Sequence, residues 1–182
     1  DPGIFCEALK NHSIPATGEN ERRLRDAYFS LLTEEIHRDR PGKQLCPGIR
    51  PLLKNLKIKK NVILGILTGN YKRSADIKLR HFNIHSYFVT GAYADDSPRR
   101  QDLVPFAWRR AEKLLHTTVS PADTVVIGDT PLDVYCARPH GVRTIAVATG
   151  IHPVAELEKT HPDAVFSSLS NTEKVISVLL NE

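Results

Sequence analysis

One stretch restricts the fold more than any other: VVIGDTPLDVYCARPHGVRTIAVATG, residues 125–150. Val125, Val126 and Ile127 run without a polar interruption, which predicts a strand buried on both faces. Gly128 eases the turn, and Asp129 falls at the strand's carboxyl end. Thr130 is placed as a helix N-cap with Pro131 at the first helical position, and Asp133 follows three residues after the cap. The helix should stop near Pro139-His140-Gly141, with a second strand over 142–147. Such a strand–acid–helix–strand unit calls for parallel strands and puts Asp129 where open α/β sheets bind ligands.

The two acids admit two readings. In one, Asp133 completes a capping arrangement with Thr130, and Asp129 is an ordinary turn acid. In the other, the two carboxylates lie together and repel unless a cation joins them. Hard divalent ions prefer carboxylate oxygen, which makes Asp129 and Asp133 candidate Mg²⁺ ligands. No basic residue shares the loop with Asp129, and the metal reading is the expectation carried forward.

Ahead of this unit, a helix is expected over 4–11. An amphipathic helix over 21–38 follows, with Leu24, Ala27, Tyr28, Leu31, Leu32 and Ile36 at helical spacing. Nothing before residue 40 reads as a strand, so 1–45 is expected to be a helical appendage. Arg40-Pro41-Gly42 breaks the pattern, and a domain boundary is placed between Arg40 and Pro47. A helix carrying Leu52, Leu53 and Leu56 starts near Cys46-Pro47-Gly48. Strands over 62–67, 87–89, 124–127, 142–147 and 164–166 then alternate with helices over 71–82, 102–115, 154–159 and 172–180. In the helix over 102–115, Leu103, Phe106, Ala107, Arg110 and Leu114 are expected mostly inward. The alternation predicts an α/β domain over 46–182, with a parallel sheet between two helical layers. A chain of 182 residues is long enough for one such domain and a small appendage.

Composition removes several functions. The net charge of +4 is mild and the basic residues are scattered, so no nucleic-acid partner is expected. No apolar run approaches the roughly 20 residues that span a bilayer. Cys6, Cys46 and Cys136 have no paired spacing, which argues against zinc or a disulfide framework and for a reducing cytoplasm. The chain has no Met and starts Asp1-Pro2-Gly3, and is expected to be part of something longer.

Two further polar stations lie upstream. The run Val62-Ile63-Leu64-Gly65-Ile66-Leu67 ends in Thr68-Gly69-Asn70 and then a helix. A hydroxyl at a strand end with free helical N–H groups beyond it suits a phosphate, although an ordinary N-cap has the same look. Arg99 and Arg100 precede the helix over 102–115, where a cation opposes the helix dipole unless an anion compensates it. Either arginine could reach a phosphoryl group or a carboxylate, or pair with Asp95, Asp96 or Asp102 at the surface.

Taken in order, these stations resemble the haloacid dehalogenase-like hydrolase superfamily, and more closely its phosphoglycolate-phosphatase-like members. VILGILTGN with Thr68 is similar to the family's second motif, and RRQDLVPFAWRRA to its third, with Arg100 matched to the basic residue and Arg99 as fallback. IGDTPLD is similar to the fourth motif through Asp129 and Asp133. Residues 1–45 resemble the later part of the family's helical cap. The first motif, Asp-x-Asp, is absent from the chain and would by the family's layout precede Asp1. The resemblance implies a Rossmannoid sheet and Mg²⁺-dependent phosphomonoester hydrolysis of a small phosphorylated metabolite through an aspartyl-phosphate. Thr68, Gly69, Asn70 and Arg100 would bind phosphate, and Asp129 and Asp133 the metal. The nucleophile would be missing from this chain, which is then expected to be inactive alone. Dehalogenation of a 2-haloacid and a non-catalytic binding or regulatory role are the alternatives. The family's first strand lies between the strands ending at Thr68 and Asp129, so an open slot is expected between them.

Overall fold

The computed structural model describes residues 2–40 and 43–182. The break expected at Pro41 and Gly42 lies outside the described residues. Helix α1 (Pro2–Asn11) buries Phe5 and Leu9. Helix α2 (Gly18–Glu35) begins at Thr17, whose hydroxyl accepts the Asn20 N–H at 3.3 Å, and it starts and stops about three residues earlier than its periodicity suggests. Phe5, Tyr28, Phe29 and Tyr71 form an aromatic cluster with centroids 5.3 to 5.9 Å apart. Arg25 lies 5.5 Å over the Tyr71 ring and Arg73 5.1 Å over Phe29. Edge-to-face rings and cations over ring faces give this seam a direction that apolar burial alone lacks.

Helix α3 (Ile49–Lys57) buries Leu52, Leu53 and Leu56 on one stripe. The chain enters it through Gly48, at φ +87°, where an added Cβ would overlap the Leu169 carbonyl and the Ser170 nitrogen. Only glycine accepts both the left-handed backbone and that approach. The Leu169 N–H donates to the Pro47 carbonyl at 3.1 Å and fastens the same junction.

Strand β1 (Gly65–Leu67) runs parallel to β2 (Thr90–Ala92), with Ile66 opposite Gly91. Helix α4 (Lys72–His81) connects them, and α5 (Leu103–Leu115) packs on both. Strands β3 (Val125–Gly128), β4 (Arg143–Val147) and β5 (Ala164–Phe166) form a second parallel ladder in that order. Helix α6 (Pro131–Ala137) links β3 to β4, α7 (Val154–Glu158) precedes β5, and α8 (Thr172–Leu180) closes the order. Among the described residues, β1 and β3 share no ladder, so the pairing that would close the expected slot is not made.

Four expectations are corrected. The strand over 87–89 is a 3-10 turn (His85–Tyr87), and β2 starts at Thr90. The strand over 62–67 keeps regular pairing only at Gly65–Leu67, where β2 supplies a partner. Val125–Ile127 is not buried on both faces: Ile127 is 38% exposed, because β3 has a ladder partner on one side only. In α5 the buried stripe is Leu103, Val104 and Ala111, while Leu114 turns outward at 53% exposed.

Two apolar clusters hold the ladders together. Leu52, Leu56, Ile145, Val147, Leu169, Val175 and Leu179 join α3, β4 and α8. Val104, Ala137 and Val142 form the other, against which Leu67 of β1, Trp108 and Val126 of β3 pack. The second cluster brings the two ladders together through side chains rather than through backbone hydrogen bonds.

Candidate active site

The fourth-motif station is built as read locally. Thr130 is the N-cap of α6 in extended conformation and Pro131 opens the helix. The Asp133 carboxylate accepts the Thr130 N–H at 3.0 Å and its hydroxyl at 2.8 Å, the reciprocal half of a capping box. Its other oxygen is ion-paired to an Arg100 Nη2. Asp133 is thus buried and engaged on both oxygens. Arg100, from the 3-10 turn Arg100–Asp102, supplies a cation to Asp133 and not to Asp129. Arg100 Nε is buried with no hydrogen-bond partner among the described residues. Arg99, by contrast, pairs at the surface with Asp102 at 2.9 Å. Gly128 makes this packing possible, since an added Cβ there would overlap the Asp133 carboxyl carbon.

Asp129 follows β3 and its side chain is solvent-exposed. A Cβ on Gly150 would overlap Asp129 Oδ2, so the glycine leaves this carboxylate its room. Among the described residues Asp129 has no partner, and no group of three or more His, Cys, Asp or Glu is gathered that could hold a metal. Of the two acids expected as metal ligands, Asp129 thus keeps its oxygens unengaged among the described residues, whereas those of Asp133 are taken up by Thr130 and Arg100. Mg²⁺ commonly takes one or two carboxylates and completes its shell with water and phosphate oxygen.

Thr68 is clasped to the end of β2: its N–H donates to Ala92 O at 3.1 Å, and the Ala94 N–H donates to Asn70 O at 3.0 Å. The Thr68 hydroxyl oxygen accepts two N–H groups of Asn70, the backbone one at 3.1 Å and the side-chain one at 2.9 Å. Both lone pairs are filled, and the hydroxyl is left as a donor with no acceptor among the described residues. The expected phosphate donors are reduced by this arrangement. The Asn70 N–H is turned onto Thr68, and the Lys72 N–H at the start of α4 goes to Asp95 at 2.6 Å. The Gly69 N–H has no hydrogen-bond partner among the described residues.

The structure therefore joins Arg100 to Asp133 and Thr68 to Asn70. No hydrogen bond or ion pair among the described residues links the Thr68 group to Asp129. Two large cavities, each about 630 Å³, lie elsewhere, along α5 and the outer edge of β2. Two features of the site were missed in the sequence. Gly150 makes room for Asp129 from a separate loop, and no local pattern announces that. Lys78 donates to Asn70 Oδ1 at 2.9 Å. It falls three and four residues after Ala75 and Ser74, the buried residues of α4, and that spacing was the available signal.

The family model described as haloacid dehalogenase-like hydrolase matches residues 7–147. The chain is 27% identical over 143 residues to a phosphoglycolate phosphatase of Synechococcus elongatus, covering 78% of this chain and 64% of that protein. It is 32% identical over 124 residues to the tyrosine-protein kinase PtkA of Mycobacterium tuberculosis, covering 66% of this chain and 40% of PtkA. The chain thus spans under two thirds of the length of either relative. A solved hydrolase from Pseudomonas syringae superposes with a TM-score of 0.68 at 20% identity, over 97% of this chain and 77% of that one, which is a likeness of fold.

Proposed function

The chain belongs to the haloacid dehalogenase-like hydrolase family, and on that premise we propose that it carries the phosphoryl-holding part of a phosphomonoester hydrolase. The observation that carries this reading is the Thr68 hydroxyl at the end of β1, with both lone pairs filled by Asn70 and its proton unspent. A donor fixed in advance toward an oxyanion stabilises transferring phosphoryl charge without reorganising at the moment of reaction. Gly69 adds a backbone N–H. Arg100, held by Asp133 and with Nε unsatisfied, balances the charge of an attacking carboxylate or of the phosphoryl group.

Asp129 is the residue of this chain that would hold Mg²⁺; when bound, the ion would neutralise phosphate charge. Asp133 acts through Arg100 and Thr130, fixing the guanidinium and the turn after Asp129. The substrate class is a small phosphorylated metabolite, in keeping with the phosphoglycolate phosphatase relative. Helices α1 and α2, seated on Tyr71 by the aromatic seam, would cover the phosphate loop and select among such substrates. The free thiols Cys6, Cys46 and Cys136 suit a cytoplasmic setting. Among the described residues no helix is long and apolar enough to cross a membrane.

The covalent step needs a carboxylate nucleophile placed against phosphorus, and no Asp-x-Asp pair occurs in the sequence. The purified chain with Mg²⁺ is therefore expected to bind inorganic phosphate and not to hydrolyse an aryl phosphate. Calorimetric titration together with a 4-nitrophenyl phosphate assay checks both halves. Turnover by the chain alone, or phosphate affinity unchanged in Thr68→Val, would defeat this reading.

A further inference from the structure

Lys78 stands two turns into α4 and points back beneath the loop of Thr68. Its ammonium donates to Asn70 Oδ1 at 2.9 Å, and the Asn70 amide nitrogen in turn donates to Thr68 Oγ1 at 2.9 Å. A carboxamide has two orientations related by a half-turn, and each presents the opposite chemistry to its neighbours. With oxygen toward Lys78, the amide nitrogen faces Thr68 and the hydroxyl proton stays free. Reversed, the amide oxygen would face Thr68 and accept that proton. An ammonium has three donors and no acceptor, so it permits only the first orientation.

We propose that Lys78 is a positioning residue: by fixing the orientation of the Asn70 carboxamide, it keeps the Thr68 hydroxyl a donor toward a bound phosphoryl oxygen. The proposal rests on Thr68 being a phosphate ligand, and it adds the group that sets the direction of that hydrogen bond. No carboxylate among the described residues neutralises Lys78, and burial pushes its pKa down from the ordinary lysine value. An uncompensated cation placed for structure alone would be better replaced by an apolar residue.

The test uses the chain with inorganic phosphate as probe, and two readouts. In Lys78→Met the phosphate Kd should rise about tenfold, the loss expected for one charge-supported hydrogen bond, while Lys78→Arg stays within about threefold. Thr68→Val should weaken binding similarly, and Thr68→Val/Lys78→Met should be no weaker than Thr68→Val alone. By NMR, the Overhauser contact between the Asn70 amide protons and the Thr68 methyl should be present in the wild type and Lys78→Arg, and lost in Lys78→Met. Retained phosphate affinity in Lys78→Met, additive losses in the double variant, or an unchanged Asn70 contact would each overturn the role of Lys78 while Thr68 remains a ligand. Thr68→Val without effect on phosphate would overturn both.

Discussion

Removing the charge of Arg100 while Asp133 stays in place strands a carboxylate whose side chain is only 8% exposed. Arg100→Met is therefore expected to destabilise the fold by about 3 kcal/mol in urea unfolding, whereas Arg100→Met/Asp133→Leu should recover most of that loss. A single-variant effect below about 1 kcal/mol would show that the pair is solvated and has no structural weight. Two glycines of the site should behave oppositely for a related reason. Gly128→Ala drives a methyl into Asp133, which is pinned by Arg100 and Thr130, and is expected to cost about 2 kcal/mol. Gly150→Ala meets only the end of the exposed Asp129 side chain, so its melting temperature should stay near the wild type although the carboxylate must swing aside. The acids, the hydroxyl and the arginine were legible as residue types at strand ends. Their partners were not, because Arg100–Asp133 and Lys78–Asn70 are matched by the fold and leave no local pattern.

The end of β2 and helix α5 are held by one clamp. Asp96 accepts the Tyr93 N–H at 2.9 Å and two nitrogens of Arg110 at 2.7 and 2.6 Å, and Arg110 also donates to Gly91 O at 2.6 Å. These hydrogen bonds, the Arg110 pair foremost, hold the Asp96 carboxyl below its ordinary range. A carboxylate depressed in the fold adds stability above the ordinary carboxylate pKa, and that stability is lost as pH falls through the lowered folded value. Urea midpoints measured from pH 7 down to pH 3 should therefore decline, and Arg110→Gln should flatten part of that decline. An identical slope in the variant would remove Asp96 as its source. Elements with strong patterns were legible as they stand, β5 (Ala164–Phe166) and α8 (Thr172–Leu180) among them. β2 was not, because its residues Thr90-Gly91-Ala92 are small. A Cβ at Gly91 would come 2.8 Å from the Ile66 carbonyl oxygen and 2.7 Å from the Tyr93 hydroxyl, so close packing selects glycine where a β-branched residue would have announced the strand.

Across the molecule, the two parallel ladders are joined by side chains, and among the described residues nothing pairs with the outer edge of β3. An edge that carries an exposed Ile127 invites association with another chain. Ile127→Lys should lower light scattering on heating while changing stability by no more than about 0.5 kcal/mol; unchanged scattering would place the association elsewhere. That the chain alternates strands and helices was legible in its own pattern, whereas the gap between the strands ending at Thr68 and Asp129 followed only from the family resemblance, since pairing depends on which neighbours are present. The junction at Gly48 carries a consequence for how the protein is made. Pro47 and Gly48 are locked to Leu169 and Ser170, and α3 is covered by Leu169, Val175 and Leu179. On the ribosome α3 emerges long before any residue that seats it, so its leucine stripe stays uncovered through most of translation. In that interval the exposed stripe is a surface of the kind that chaperones bind, and the helix is seated only once the carboxyl-terminal side has been made.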